Sequence, residues 1–248
     1  MTYCVGIKLK AGMIFASDSR TNAGIDQIAQ FRKTYIFADP GERVIYLLSA
    51  GNLSITQSVI NQIERSRLHA DEQAPSLWNA TSLFDVATLL GDYMREVQTR
   101  DGPFLAQAGI DAGASFIIGG QIRGERARMF HLYPQGNFIE ATEETLYFQL
   151  GESKYGRPIL DRVINTATSL KEATKCVLVS YDSTMRSNVS VGPPIEICWY
   201  SEDSLQLGLR QRVQEEDPYF QLIRSEWAVG VRRAFMEVPD PDWFYQHV

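Results

Sequence analysis

Three residues near the start of the chain, Thr2, Asp18 and Lys33, have the types and spacing that nucleophilic catalysis by a hydroxyl would need. Removal of Met1 would leave Thr2 with a free α-amine beside its hydroxyl. Because such an amine has a reference pKa of about 7.7–8.0, it can accept the hydroxyl proton near neutral pH. A lysine beside the hydroxyl would stabilise the alkoxide, and an aspartate would keep that lysine protonated and oriented. The pattern therefore predicts a nucleophile that needs no histidine.

Each of these residues also has a simpler interpretation when it is taken alone. Threonine is common at the start of a strand, and Asp18 lies between two serines, as turn-forming residues often do. Lys33 could be a solvated cation at a strand edge. Only the combination of the three favours catalysis.

The local elements expected around these residues would bring them to one end of a sheet. Residues 2–9 and 12–17 have strand-like patterns on either side of a glycine-containing turn, which predicts a β-hairpin. Because the second strand of a hairpin returns to where the first began, Asp18 is expected at the same sheet end as Thr2.

The remainder of the chain predicts further strands and several amphipathic helices. Apolar residues at helical spacing predict helices at 52–68, 82–100, 154–166, 170–185 and 217–237. Alternating or β-branched runs predict strands at 33–38, 44–49, 114–122, 127–133, 137–141, 146–150, 193–199 and 205–209. The segment 21–31 reads as a loop. Helices inserted between strands indicate an α+β fold with a helical layer on a sheet.

The composition favours one large domain and excludes some partners. The chain has 248 residues, of which 44% are hydrophobic, enough for a substantial core. A net charge of −6 and scattered charges argue against nucleic-acid binding. The N-terminus does not resemble a signal peptide, and no apolar run is long enough to span a membrane.

Cysteines and histidines give no sign of a disulfide framework or a metal site. The three cysteines, which are Cys4, Cys176 and Cys198, lie in apolar runs without CxxC spacing, as reduced core residues of a cytoplasmic protein do. His69, His131 and His247 lack ligand spacing, so neither a metal nor another cofactor is expected.

The N-terminal triple and the segments 116–122 and 129–137 resemble the proteasome β-subunit family of N-terminal nucleophile hydrolases. The resemblance covers nearly the whole chain and implies a four-layer α/β/β/α sandwich over residues 1–248, with a C-terminal helix and tail at 215–248. Within that family, the Thr-Tyr-Cys-Val-Gly start and the extended C-terminus most resemble Anbu, the bacterial ancestral β-subunit homologues.

The same resemblance assigns residues to the oxyanion site. The strand-to-helix turn at 49–52 would supply backbone N–H groups to the oxyanion. Leu48 or Ser49 stands where the family has a glycine, and Gly51 reads equally well as a packing residue.

The resemblance also assigns supporting residues around the nucleophile. A family serine is either replaced by Glu152 or displaced to Ser153. Ser190 matches a second family serine, and Ser187 stands where the family has an aspartate. Asp182 is the candidate to replace that carboxylate, although it reads equally well as a solvated helix residue.

The resemblance implies a threonine-dependent peptidase or amidase that cleaves a peptide or amide through an acyl-ester on Thr2. It also implies a cytoplasmic homo-oligomer, open and helical or ring-like, with no nucleic-acid or membrane partner. Two alternatives stay open. If Met1 is retained, the chain would be a catalytically silent assembly subunit, and a closed pocket would favour an amidase for small amides over a peptidase.

Overall fold

The computed structural model describes residues 2–22, 28–68 and 74–244. The strands of the described residues are β1 (Tyr3–Leu9), β2 (Gly12–Ser17), β3 (Arg20–Asn22), β4 (Ile28–Gln30), β5 (Thr34–Asp39), β6 (Arg43–Gly51), β7 (Ala114–Ile122), β8 (Arg128–Leu132), β9 (Phe138–Glu140), β10 (Tyr147–Gly151), β11 (Ile195–Ser201) and β12 (Arg210–Val213). The helices are α1 (Leu53–Leu68), α2 (Leu83–Gln107), α3 (Arg157–Val163), α4 (Leu170–Ser187) and α5 (Pro218–Glu237), followed by a short 3₁₀ turn, Asp242–Phe244.

The fold is an α+β sandwich of two antiparallel sheets between two helical layers. One five-stranded sheet has the order β10-β1-β2-β11-β12, and the other has the order β5-β6-β7-β8-β9. Helices α1 and α2 pack on the second sheet, and α3 and α4 pack on the first. The inner faces of the two sheets meet in a third apolar cluster that includes Phe15, Tyr46 and Met129. The four-layer architecture is therefore confirmed.

The N-terminal hairpin lies at the centre of the first sheet. Strand β1 pairs with β2 in the register Cys4↔Ser17 and with β10 on its other side. Apolar side chains cover both faces, since every residue of β2 is buried. Just beyond the ladder, the backbone N–H of Asp18 donates to the Tyr3 carbonyl at 3.1 Å. The predicted return of Asp18 to the start of β1 is confirmed.

Helix signals in the sequence correspond to real caps. Asn52 accepts the Ser54 and Ile55 backbone N–H groups with its side-chain oxygen at the start of α1. Capping boxes begin α2 at Ser82 and α4 at Ser169, and they satisfy N–H groups that the first helical turn leaves free.

Several predicted boundaries were wrong. The segment 21–31 includes most of β3 and all of β4, whose connection at 23–27 lies outside the described residues. Helix α2 runs beyond residue 100 to Gln107, whereas α3 is shorter than predicted. The last strand begins at Arg210, not at 205, because Leu205 has a left-handed φ of 46° that breaks the extended backbone.

The three cysteines lie in the core as predicted, all buried and unbridged. No helix among the described residues combines the length and the apolar character needed to cross a membrane. His69, His247 and the last four residues of the predicted tail, 245–248, lie outside the described residues.

Candidate active site

The two charged residues of the predicted triple meet at one end of the inner sheets. Asp18 directly follows β2, and Lys33 directly precedes β5 of the other sheet. Lys33 Nζ donates to Asp18 Oδ1 at 2.7 Å and to the Arg20 carbonyl at 2.6 Å. Asp18 is fully buried, and Lys33 is 5% exposed. The structure therefore brings this predicted pair together in the protein interior.

Burial and charge act on Asp18 in opposite directions. Burial raises the pKa of Asp18 above its ordinary value, and the Lys33 ammonium, with hydrogen bonds from Lys33 and the Tyr3 backbone, partly offsets that rise. The second carboxylate oxygen, Oδ2, is buried without a hydrogen bond to any described residue, and the Gly192 N–H makes only a weaker electrostatic contact with the carboxylate. The carboxylate therefore keeps acceptor capacity for another group.

Thr2 is fixed through its backbone. Its carbonyl accepts the Glu152 N–H at 2.8 Å, and the next residue, Tyr3, donates its N–H to Asp18 Oδ1 at 3.0 Å. Gly151 has a φ of +76°, and a Cβ built there would lie 1.9 Å from the Thr2 carbonyl oxygen. A glycine is thus required for the backbone to approach Thr2 this closely.

The Thr2 hydroxyl is uncommitted. It makes no hydrogen bond to any of the described residues, Lys33 included, although Thr2 is only partly exposed. Lysine has three N–H donors, and two of those of Lys33 are used. Lys33 and the Tyr3 N–H bind the same carboxylate oxygen, so Lys33 and the residue that follows Thr2 share one acceptor.

The structure adds Glu152 and Asn188 to the site. Glu152 is 7% exposed, and its Oε2 accepts the Asn188 side-chain N–H at 2.9 Å. Asn188 Oδ1 accepts both the backbone N–H and the hydroxyl of Ser190, at 3.0 and 2.5 Å. Ser190 is buried, as a supporting residue would be. The hydrogen-bonded chain Glu152–Asn188–Ser190 thus connects the turn after α4 to the residue that binds the Thr2 carbonyl.

Three expected supporting residues lie outside this chain. Asp182 was the candidate for the missing carboxylate, and in the structure its two oxygens bind Arg186 at 3.1 Å and Arg224 at 3.0 Å. Ser187 is exposed at the end of α4, and its hydroxyl bonds to no described residue. Ser153 uses its carbonyl for the Gln149 amide at 3.3 Å, and its hydroxyl has no partner among the described residues.

The structure does not place Leu48 and Ser49 in the strand-to-helix turn that was expected to supply the oxyanion donors. Both residues lie inside β6, which continues to Gly51. The Ser49 N–H donates to the Lys33 carbonyl at 2.9 Å, and Leu48 is fully buried between Thr34 and Ile117 in the sheet. The strand ends instead at Gly51, whose φ of +103° and contact with the Gly113 carbonyl exclude a side chain.

A cavity of about 360 Å³ opens at this end of the two sheets. Gly51 and Gly151 line it from opposite sheets, and His131 and Gln149 form part of its wall. Gly151 also lies against the Thr2 carbonyl, so this wall of the cavity is next to the backbone of Thr2. Among the described residues, no cluster of His, Cys, Asp or Glu could hold a metal ion.

Comparison with known proteins gives the family. No protein-family model matches the chain. The proteasome subunit beta of Haloquadratum walsbyi is 26% identical over 216 residues, which cover 86% of this chain and 79% of the relative. The solved structure of Anbu (ancestral beta-subunit) from Yersinia bercovieri is 48% identical with a TM-score of 0.90, over 97% of this chain and 99% of that one.

A second Anbu structure, described as a helical assembly of the Anbu complex from Pseudomonas aeruginosa, is also 48% identical, with a TM-score of 0.92, over 98% of this chain and 99% of that one. Identity at this level over essentially the full length of both chains accompanies the shared fold and the predicted N-terminal pattern. The chain therefore belongs to the Anbu (ancestral beta-subunit) family.

Proposed function

We propose that this chain is a threonine-dependent N-terminal nucleophile hydrolase that cleaves a peptide or amide bond after Met1 has been removed. The observation that carries the proposal is the buried Lys33–Asp18 pair at 2.7 Å. The Asp18 oxygen that binds Lys33 also accepts the Tyr3 N–H. A buried ion pair is costly to maintain, and this one lies one residue from an uncommitted hydroxyl. Membership of the Anbu family and the likeness to a proteasome subunit beta support the same reaction class.

The proposed reaction has two stages. The Thr2 Oγ bonds to the carbonyl carbon and gives its proton to the Thr2 α-amine. The carbon–nitrogen bond of the substrate then breaks, and the leaving amine takes the proton from the α-ammonium, which leaves an ester on Thr2. Water attacks the ester and passes a proton to the α-amine, which returns it to the Thr2 oxygen as the acid product leaves.

Lys33 and Asp18 would act electrostatically in both stages. The free third donor of Lys33 stabilises negative charge on the Thr2 oxygen, and Asp18 orients Lys33. No proton has to move between Lys33 and Asp18.

Replacement of the nucleophile tests the proposal. Thr2→Ala should abolish turnover of a fluorogenic peptide panel without lowering the melting temperature, because the Thr2 contacts in the structure are made by its backbone. Thr2→Ser is the matched control and should keep measurable activity. A threonine-directed covalent inhibitor should add its mass to the wild type and to no residue of Thr2→Ala. Equal hydrolysis by the wild type and Thr2→Ala would reject the assignment.

The state of the N-terminus is tested first. Intact mass and N-terminal sequencing should show a chain that begins at Thr2. A chain that keeps Met1 has an amide in place of the α-amine, so the base of the proposed reaction would be missing. That result would favour the alternative of a catalytically silent subunit.

Assembly is the second candidate function, and it is compatible with the first. The second half of α5 and the segment after it expose large apolar side chains, namely Val229, Val231, Phe235, Met236, Val238 and Trp243. An exposed apolar stretch of this kind marks an interaction surface. A related Anbu is described as a helical assembly. We propose that this chain forms homo-oligomers, and light scattering should give a mass above one chain that falls in Phe235→Glu.

A further inference from the structure

Glu152 is a buried carboxylate with weak charge compensation. Its one cationic partner among the described residues is Lys154, whose Nζ lies 3.8 Å from Oε1 and whose side chain is 73% exposed. An exposed lysine at this distance contributes little. Asn188 supplies a neutral hydrogen bond at 2.9 Å. Since buried carboxylates are almost always paired with a cation, the position of Glu152 calls for a further positive group.

Thr2 is in the right place to provide that group. The Glu152 N–H binds the Thr2 carbonyl at 2.8 Å, and the Cα of Thr2 lies 3.4 Å from a Cβ built on Gly151. Residues 151 and 152 therefore lie against the backbone of Thr2. Removal of Met1 would convert that nitrogen from a neutral amide into an amine that can carry a charge.

Asn188 determines where the Glu152 carboxylate lies. Its side chain donates to Glu152 and accepts from Ser190, and the turn that contains it is held by Arg20, which donates to the Val189 carbonyl at 2.7 Å. A carboxylate fixed in this way is pre-organised before the amine is formed.

We propose that Glu152 is the charge partner of the α-amine that Met1 removal creates on Thr2, and that Asn188 is the positioning residue that holds Glu152 there. The inference rests on the proposed function for the removal of Met1. It gives the site a carboxylate at residue 152, on the turn after β10, in place of the one expected near the end of α4.

The pair would adjust the proton affinity of the catalytic base. The Lys33 ammonium lowers the pKa of a neighbouring amine, and an anionic Glu152 raises it. Asp18 is bound to Lys33, Arg20 donates to the 188–192 turn, and Lys154 lies on the outer side of Glu152. The two opposing charges would keep the pKa of the amine close to neutral pH, and a general base works best when its pKa is near the operating pH.

The test measures the amine directly. Purified wild type and Glu152→Gln are labelled with limiting acetic anhydride across pH 5.5–9.5, and the acetylated N-terminal peptide is quantified by mass spectrometry. Glutamine can still accept from Asn188 but carries no charge. The apparent pKa of the amine should fall by about one unit, a tenfold loss of proton affinity. In Glu152→Asp, the amine pKa should stay close to the wild-type value because the charge is kept.

The matched control is Glu143→Gln, which makes the same change of net charge at an exposed position beyond the opposite end of β10. Its labelling profile should match that of the wild type. Asn188→Ala should shift the amine pKa in the same direction as Glu152→Gln, and by less, since the carboxylate remains but loses its hydrogen bond.

Hydrolysis gives a second readout. The acid limb of the kcat/KM profile should move to lower pH in Glu152→Gln by the same amount as the labelling curve. A lower rate with an unmoved labelling curve would indicate a structural role only and would overturn the inference. A wild type that labels at Thr2 but hydrolyses nothing would reject the proposed function, while the labelling curves still decide the role of Glu152. Retention of Met1 would reject both.

Discussion

Two buried aspartates of this molecule are paired with cations in different ways. Asp18 is fully buried and is bound to Lys33, which is itself 5% exposed. Asp182 is 1% exposed, but its partners Arg186 and Arg224 have side chains that are 56% and 26% exposed. One ion pair is thus enclosed in the protein, whereas the other extends to solvent.

The hydrogen-bond inventories of the two sites differ as well. Both oxygens of Asp182 have an arginine donor, so that site is complete. Asp18 has a buried oxygen without a hydrogen bond among the described residues, and Lys33 has a third donor to give. A complete ion pair joins α4 to α5 as a structural contact. An incomplete one in the interior indicates a site prepared for another group.

Replacing Lys33 of the enclosed pair should have the largest effect on turnover and on stability. Lys33→Met should reduce turnover by about 100- to 1,000-fold, because one preorganised charge near the proposed nucleophile is lost. It should also destabilise the fold by about 3 kcal/mol at pH 7, since Asp18 would be left buried without a cation. Urea unfolding followed by circular dichroism measures the second effect.

The folding stability of Lys33→Met should change with pH in a defined direction. Burial already raises the pKa of Asp18, and without Lys33 the largest opposing influence is gone. The folded state then binds the proton more tightly than the unfolded state, so stability rises as pH falls from 7 towards 5. A Lys33→Met variant that is as stable as the wild type at pH 7 and insensitive to pH would contradict this account of the enclosed pair.

Much of the fold could be predicted because its signals are local. The hairpin of β1 and β2 follows from strand patterns around a glycine turn, and the caps at Asn52 and Ser169 stand where helical periodicity begins. The errors came where tertiary contacts decide. Helix α2 continues through Pro103 to Gln107, and the left-handed Leu205, whose carbonyl accepts the Gly41 N–H at 2.8 Å, ends the extended chain before the last strand.

The site was predictable only in part for the same reason. Asp18 and Lys33 flank strands whose ends can be located from sequence, so their meeting could be expected. Glu152 and Asn188 meet only after β10 has paired with β1 and α4 has packed on the same sheet. Glutamate at the position of a family serine was the one available signal, and Asn188 as the residue that ends α4 would be taken for an ordinary cap.

Breaking the exposed pair should have a smaller effect than breaking the enclosed one. Asp182→Asn keeps the shape of the side chain and removes its charge, and both arginines can turn to water. We expect a loss of about 1–2 kcal/mol in unfolding free energy, with kcat and KM unchanged. A large loss of turnover in Asp182→Asn would return this carboxylate to the list of residues that serve Thr2.

The buried cysteines can show that the two regions open independently, with the smallest expected effects. Cys4 lies in β1 near the enclosed pair, and Cys176 lies on α4, the helix that carries Asp182 of the exposed pair. Burial raises the pKa of both thiols, to about 12 for Cys176, so iodoacetamide should react slowly with each at pH 8.

Reaction in the native state then reports local opening. Lys33→Met should accelerate alkylation of Cys4 more than that of Cys176, and Asp182→Asn should do the reverse, as measured by peptide mass spectrometry. Equal acceleration of both thiols in each variant would mean that the sheet and the helical layer open together. The enclosed and exposed pairs would then stabilise one cooperative unit, and the separation of a catalytic from a structural aspartate would have to rest on turnover alone.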